Sequence, residues 1–224
     1  MTALTDFLRS TPYFNNLSGK GELDRVGKYV FEKKVEKGEL VLAEGEQPQA
    51  LYFVVAGAVK MFKTSPEGKE QIFLIVYSGS SFNDVAVFDG GRNPVSAQAM
   101  VASMLYGICK SDIEIILKEN PNVAVNVSKV LAGKVRQLAE LVEDLSFKSV
   151  TGRVAKILIE NSIDGNRERQ RLTQQDMAAI AGTAREVVGR ALKSLEDSGV
   201  IKMDRHRIVI KDIDMLKGIA GANI

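Results

Sequence analysis

The chain has 224 residues, which suits one large domain or two modest ones, and its 45% hydrophobic content is enough for ordinary packed cores. A formal net charge of +2 is nearly neutral and by itself suggests no nucleic acid. The single cysteine, Cys109, excludes an internal disulfide and a four-cysteine iron–sulfur cluster within one chain.

The charge is nevertheless placed unevenly. From Ser149 onward there are 13 lysines and arginines against 10 aspartates and glutamates, whereas the first 148 residues hold 17 against 18. No apolar run reaches the roughly 18 residues of a membrane-spanning helix. The N-terminus also lacks a basic start followed by an apolar signal core, so a cytoplasmic protein with no membrane partner is expected.

Residues 1–29 carry short apolar clusters, Leu4, Phe7 and Leu8, then Tyr13, Phe14 and Leu17, broken by Pro12 and Gly19. They predict small helices lying against the next domain. From residue 30 the texture changes to short β-type runs at 30–35, 40–42, 51–55, 59–63, 71–77, 95–101 and 104–108, with glycine turns at Lys37-Gly38, Glu44-Gly45, Ala56-Gly57 and Glu67-Gly68. Many short strands with such turns predict an antiparallel sandwich or barrel. The order Glu36-Lys37-Gly38-Glu39, Glu44-Gly45-Glu46, Leu51-Tyr52-Phe53-Val54, Gly57 resembles the β-roll of cyclic-nucleotide-binding domains.

Within it, the run from Gly79-Ser80-Ser81-Phe82-Asn83-Asp84-Val85 through Arg92-Asn93-Pro94-Val95-Ser96-Ala97 resembles the phosphate-binding cassette of those domains. A short helical turn over 84–88 would aim free N–H groups and a positive dipole end at an anion. The resemblance puts Asp84 in the place of the carboxylate that accepts from a ribose hydroxyl, and puts the phosphate-pairing arginine at Pro94 or Val95, depending on whether one residue of gap is allowed. Neither residue supplies a charged donor, which argues against cyclic AMP held in the familiar manner. Arg92 is near enough in sequence to substitute, and a capping Asp84 beside a solvated Arg92 is an equal reading. The effector-binding candidates are Asn83, Asp84, Val85, Arg92, Ser96 and Leu138.

Asn120-Pro121 opens a long helix. Its apolar positions Leu131, Val135, Leu138, Val142 and Leu145 step by 4, 3, 4 and 3, a coiled-coil seam that a single chain has no second long helix to cover. A parallel homodimer is expected, with the alternative that part of the seam packs on the chain's own β-roll.

Ser149 is a plausible cap for a helix whose buried face is Val150, Val154, Ile157 and Leu158. A polar loop, 164–170, follows. Thr173 with Asp176 forms a capping box opening a short helix with Met177, Ala178, Ile180 and Ala181 on one face. Gly182 permits a sharp turn, and Thr183 with Glu186 reads as a second capping box, so two helix starts lie ten residues apart as in a helix-turn-helix. In the second helix Val188, Ala191, Leu192 and Leu195 take the core side and leave Glu186, Gly189, Arg190 and Lys193 outside, with Arg185 in the first turn. Arginine can pair with both acceptors of a guanine edge and glutamate can accept from a cytosine amino group. The alternation over 200–203 and 207–210 around Asp204 and Arg205 predicts a two-stranded wing with a basic tip. His206, the only histidine, reads there as a turn residue or phosphate contact. The DNA-binding candidates are Thr173, Thr183, Arg185, Glu186, Arg190, Lys193, Arg205 and His206, with no metal ligands among them.

The run Gly182-Thr183-Ala184-Arg185-Glu186-Val187-Val188-Gly189-Arg190, with Leu195-Glu196 and Gly199-Val200-Ile201, closely resembles the DNA-binding domain of the cyclic-AMP receptor and fumarate-nitrate regulator (Crp/Fnr) family, and the stretch 147–155 resembles that family's hinge. The resemblance implies that Arg185, Glu186 and Arg190 read a TGTGA-type half-site in double-stranded DNA. It also implies that loop 164–170 touches RNA polymerase, a solvated loop being an equal reading. It puts Leu138 and Ala139 where the cyclic-AMP receptor has two adenine-contacting hydroxyls, a second departure in the same direction as the missing arginine. The iron–sulfur cluster of the oxygen-sensing branch has no cysteines to hold it.

The expected fold class is α+β, with a cyclic-nucleotide-binding-like β-roll and N-terminal helices over 1–119, a dimerisation helix and hinge over 120–148, and a winged helix-turn-helix over 149–224. The expected function is a dimeric, sequence-specific transcription regulator answering to a small-molecule signal other than cyclic AMP. The alternative on the same scaffold is a haem- or redox-based gas sensor, with Cys109 and the methionines as soft ligands. No catalytic motif supports an enzyme.

Overall fold

The computed structural model describes residues 3–17, 21–163, 172–204 and 207–221. These fall into two compact units, Met1–Lys63 with Leu74–Gln137, and Thr64–Phe73 with Leu138–Ile224.

The chain opens with α1 (Ala3–Ser10) and α2 (Glu22–Gly27) and continues through β1 (Val30–Val35), β2 (Leu40–Leu42), β3 (Ala50–Ala56), β4 (Ala58–Thr64), β5 (Glu70–Tyr77), β6 (Ser81–Phe82), α3 (Asp84–Asp89), β7 (Ser96–Ala99), β8 (Ser103–Cys109) and α4 (Lys110–Glu119), all in the first unit except the β4–β5 tip, Thr64–Phe73. The strands form two four-stranded sheets, ordered β1-β8-β3-β6 and β2-β7-β4-β5, and the pairings β1 with β8, β3 with β8 and β4 with β7 are antiparallel.

The central strand β3 shows why the roll closes. Alternate residues of a strand point to opposite faces. Here Tyr52 and Val54 pack with Val59, Phe82, Ala97 and Leu105 between the sheets. Leu51 and Phe53 pack outward with Leu8, Tyr13 and Phe14 of the N-terminal segment and with Ile113, Ile116, Val123 and Val127 of the helices that follow the roll. Both faces of β3 are therefore apolar, and the strand reads as a continuous hydrophobic run rather than an alternation. The turn into β4 needs Gly57, whose φ is +95° and whose added Cβ would lie 2.1 Å from Ser103 Oγ.

The long helix α5 (Pro121–Phe147) begins in the first unit and ends in the second. Asn126 on its buried face donates to the Tyr13 carbonyl at 3.0 Å and anchors the N-terminal segment.

The second unit adds α6 (Val150–Ile163), α7 (Gln174–Ala181), α8 (Arg185–Asp197), the hairpin β9 (Ile201–Asp204) and β10 (Arg207–Ile210), and α9 (Ile213–Ala220). Ser149 Oγ accepts from the Gly152 N–H at 3.1 Å, capping α6 as its sequence suggests. One core joins the helices through Val154, Ile157 and Leu158 of α6, Met177, Ala178 and Ala181 of α7, and Val188, Ala191, Leu192 and Leu195 of α8. Leu192 and Leu195 are almost fully enclosed, each contributing about 1.5–3 kcal/mol relative to exposure. Strand β6 and helices α4 and α9 are additions to the elements expected from sequence.

Candidate nucleic-acid interface and effector cassette

Helix α7 begins as its sequence dictates. Thr173 Oγ1 accepts from the Asp176 N–H at 3.1 Å, and the Asp176 carboxylate accepts from the Thr173 N–H at 2.8 Å. At its other end Gly182 takes a left-handed φ of +65°, and an added Cβ would meet Leu145 Cδ2 at 2.8 Å. The three carbonyls of that end all receive side-chain donors. Arg153 Nε donates to Ala181 O at 2.8 Å, Lys69 Nζ to Gly182 O at 3.2 Å and Gln71 Nε2 to Ile180 O at 3.4 Å. Lys69 and Gln71 come from the β4–β5 hairpin tip, Thr64–Phe73, which belongs to this unit.

The second capping box does not form. The N-cap of α8 is Ala184, extended at φ −88° and ψ 152°, with no side-chain hydrogen bond. The Thr183 N–H is engaged with Ala178 O at 3.0 Å in closing α7, so the chain needs one more extended residue before it can re-enter a helix.

The α8 faces divide as the 3.6-residue period requires. Val188, Ala191, Leu192 and Leu195 are buried, while Arg185, Glu186, Arg190 and Lys193 are exposed along with Thr173. Thr183 is half-buried. Glu196 Oε1 accepts from the Met203 N–H at 2.7 Å and ties the end of α8 to the first wing strand, where Lys202 and Arg207 are also exposed. Arg205, His206 and the loop 164–170 lie outside the described residues. The arrangement is a convex basic helix face beside a two-stranded hairpin, a shape that enters a major groove and flanks phosphates.

In the β-roll, Asp84 is the first residue of α3 and is 2% exposed. Its carboxylate accepts from the Tyr13 hydroxyl, from Ser81 Oγ at 2.7 Å and from Lys134 Nζ of α5, with which it forms an ion pair. Lys134 also donates to Ser81 O at 2.8 Å. Burial first, then the neighbouring Asp84 charge, pushes the Tyr13 phenol far above its ordinary range, so it stays a donor. The carboxylate is thus fully engaged by Tyr13, Ser81 and Lys134, none of which the sequence pattern singled out. Asn83, in a left-handed conformation at φ 69°, occupies the N-cap position without a capping bond and donates to Ala50 O at 3.0 Å. Val85 is exposed, Ser96 Oγ accepts from the Glu44 N–H at 3.0 Å, and Arg92 Nη1 donates to Gly45 O at 2.8 Å. Leu138 belongs to the second unit and is exposed.

Along α5, Leu131 is partly buried against the core of the first unit. Val135, Leu138, Val142 and Leu145 are exposed, as is Phe147. Among the described residues no group of three or more His, Cys, Asp or Glu is placed to hold a metal ion, and no helix is long and apolar enough to cross a membrane.

Residues 32–120 match the cyclic nucleotide-binding domain family and residues 152–219 the Crp-like helix-turn-helix domain. The chain is 28% identical over 213 residues to the cyclic AMP receptor protein of Thermus thermophilus, covering 95% of this chain and 98% of that one. It is 28% identical over 187 residues to the CRP-like cAMP-activated global transcriptional regulator of Mycobacterium tuberculosis, covering 80% and 84%. Its fold is that of FixK2 from Bradyrhizobium japonicum, with a TM-score of 0.77 at 24% identity over 87% of this chain and 99% of that one.

Proposed function

We propose that this chain, a member of the Crp/Fnr family of transcription regulators joining a cyclic nucleotide-binding domain to a Crp-like helix-turn-helix, is a homodimer reading a TGTGA-like palindrome under the control of a signal other than cyclic AMP. The observation that carries the DNA reading is α8, whose buried apolar stripe leaves Arg185, Glu186, Arg190 and Lys193 together on the exposed side. Arg185, Glu186 and Arg190 contact base edges, while Thr173, Thr183, Lys193, Arg205 and His206 contact the backbone. Two such helices must reach successive major grooves about 34 Å apart, which a two-fold dimer provides. The dimer forms through the exposed apolar residues of α5, and RNA polymerase is a further partner through the loop 164–170.

The names of the two relatives tie those proteins to cyclic AMP. This chain's residues do not fit that nucleotide in the familiar manner. Pro94 and Val95 stand where a phosphate-pairing arginine is needed, Arg92 is engaged with Gly45 O, and the Asp84 carboxylate is held by Tyr13, Ser81 and Lys134. Leu138 and Ala139 offer no hydroxyl to a base. The signal therefore acts by binding one of two orientations of the DNA-reading domains more tightly than the other.

Fluorescence anisotropy of a labelled TGTGA palindrome and a scrambled duplex, titrated with protein at fixed salt with and without cyclic AMP, tests the reading. Specific binding unchanged by cyclic AMP is the expected result. Binding that appears only with cyclic AMP overturns the effector reading, and equal binding to both duplexes overturns the half-site.

A further inference from the structure

Arg153 stands in the first turn of α6, the end of a helix where the backbone dipole disfavours a cation. Helix side chains lean back toward the N-terminus. Here that direction carries the half-buried guanidinium out of α6 and between the ends of two other helices. Its Nη1 donates to Lys148 O at 2.7 Å, with Asp144 O and Leu145 O at 3.4 and 3.5 Å, where α5 ends. Its Nε donates to Ala181 O at 2.8 Å, where α7 ends. Carbonyls at the end of a helix have no partner within it, so one side chain completes two C-termini at once. An apolar contact reinforces the joint. The Gly182 turn that follows α7 leaves no room for a Cβ beside Leu145, the last residue of the α5 seam. All of these residues belong to the second unit.

We infer that Arg153 is a positioning residue that sets the half-site spacing this protein reads, a role that rests on the homodimer reading proposed above. In a two-fold dimer the α5 seam lies along the axis, and α8 follows α7 after the short turn 182–184. The joint between α5 and α7 therefore fixes where each reading helix stands relative to that axis. Each base pair added between half-sites turns one of them by roughly 34° about the duplex. A dimer with a rigid joint accepts one spacing, and a dimer with a loose joint accepts several. Lysine keeps the charge but has one nitrogen, which can complete the end of α5 or that of α7 but cannot bridge both as the guanidinium does.

Arg153→Lys and Arg153→Gln test this in the full chain, with circular dichroism melts to establish that each variant folds. Spin labels at Glu143→Cys and Asp197→Cys, both exposed positions, in a Cys109→Ser background read the distance from α5 to α8 without DNA. Dilution with unlabelled chain restricts the reading to distances within one chain. Double electron–electron resonance gives a narrow distribution for the parent and a broader one for both variants. On duplexes whose TGTGA half-sites are moved together or apart by one or two base pairs, the parent favours one spacing by about tenfold or more. Both variants lose most of that preference while binding a single half-site as the parent does. A fold that is merely weakened lowers half-site and palindrome binding by one common factor. Such a common loss, distributions as narrow as the parent's, or a parental spacing preference in Arg153→Lys overturns the role. A parent that fails to distinguish the palindrome from a scrambled duplex overturns the DNA reading and the spacing role with it, while the distance widths still decide whether Arg153 holds the joint.

Discussion

Lys134 of α5 forms an ion pair with Asp84, fifty positions earlier in the chain, and the acid is almost wholly enclosed while the lysine keeps about a fifth of its side-chain surface in solvent. Removing one partner of such a pair leaves the other charge buried and unmatched, which costs about 3–5 kcal/mol. Lys134→Met should lose stability on that scale in urea denaturation. Asp84→Asn combined with Lys134→Met should lose less than Lys134→Met alone, because no uncompensated charge remains. A double variant weaker than the single would mean that Tyr13 and Ser81 alone offset the burial of the Asp84 side chain.

Arg190 stands exposed on α8 two residues beyond the buried Val188. Arg190→Ala should weaken binding to the specific duplex by about 1–3 kcal/mol and relax discrimination at one base pair. Equal losses on specific and random duplexes, measured by anisotropy at one salt concentration, would assign Arg190 to phosphate alone.

The apolar seam of α5 leaves Val142 at 62% and Leu138 at 46% exposure in the single chain. Each such side chain contributes about 1.5–3 kcal/mol when enclosed. Because both protomers carry the change, Val142→Glu should weaken association by more than about 100-fold. Sedimentation equilibrium reads the outcome, and an unchanged mass distribution removes the seam from the interface.

Near the end of α5, Asp144 meets Lys148 at 2.8 Å and Lys156 at 2.5 Å. Burial alone would push the Asp144 carboxyl up, but hydrogen bonds from Lys148 and Lys156, with their charges, outweigh it and hold the group below its usual range. A depressed carboxyl stabilises the fold above its unfolded value and loses that contribution as pH falls through the folded value. Lys156 is shifted the opposite way. Burial lowers it, the bond and charge of Asp144 raise it further, and its contribution fades only as pH climbs through a value above 10.5. Asp144→Asn should therefore cost about 1–2 kcal/mol at neutral pH. The gap from the parent should begin to narrow below about pH 4, the ordinary carboxylate range, and close as pH falls through the lower folded value. A gap constant to pH 2 would show that charge has no part in it.

Local chemistry made much of this molecule legible in advance. Glycine turns bracket strands whose β-branched and aromatic residues can only pack in a sheet, and the period of Val188, Ala191, Leu192 and Leu195 sets one face of α8 inward. Three features escaped for physical reasons. Helix α4 buries Ile113 and Ile116 but also carries Ile115 and Leu117 in the same short run, so its apolar positions fit period 2 and period 3.6 about equally. The apparent cap at Thr183 failed because its N–H was already committed to α7. Lys134 carried no local signal, since its partner is brought to it only by closure of the roll. The cassette pattern identified Asp84 but could not show that the chain itself supplies the carboxylate's three partners.

The carbonyls that end α7 draw two of their three donors, Lys69 and Gln71, from a segment about a hundred residues upstream. The DNA-reading module is thus not contiguous in the gene, and an excised fragment starting at Ser149 would keep Arg153 but leave the Ile180 and Gly182 oxygens to water. Measurements on such a fragment describe a looser helix-turn-helix than the one the intact polypeptide builds, and a grafting experiment that aims to transplant the reader must carry the hairpin with it.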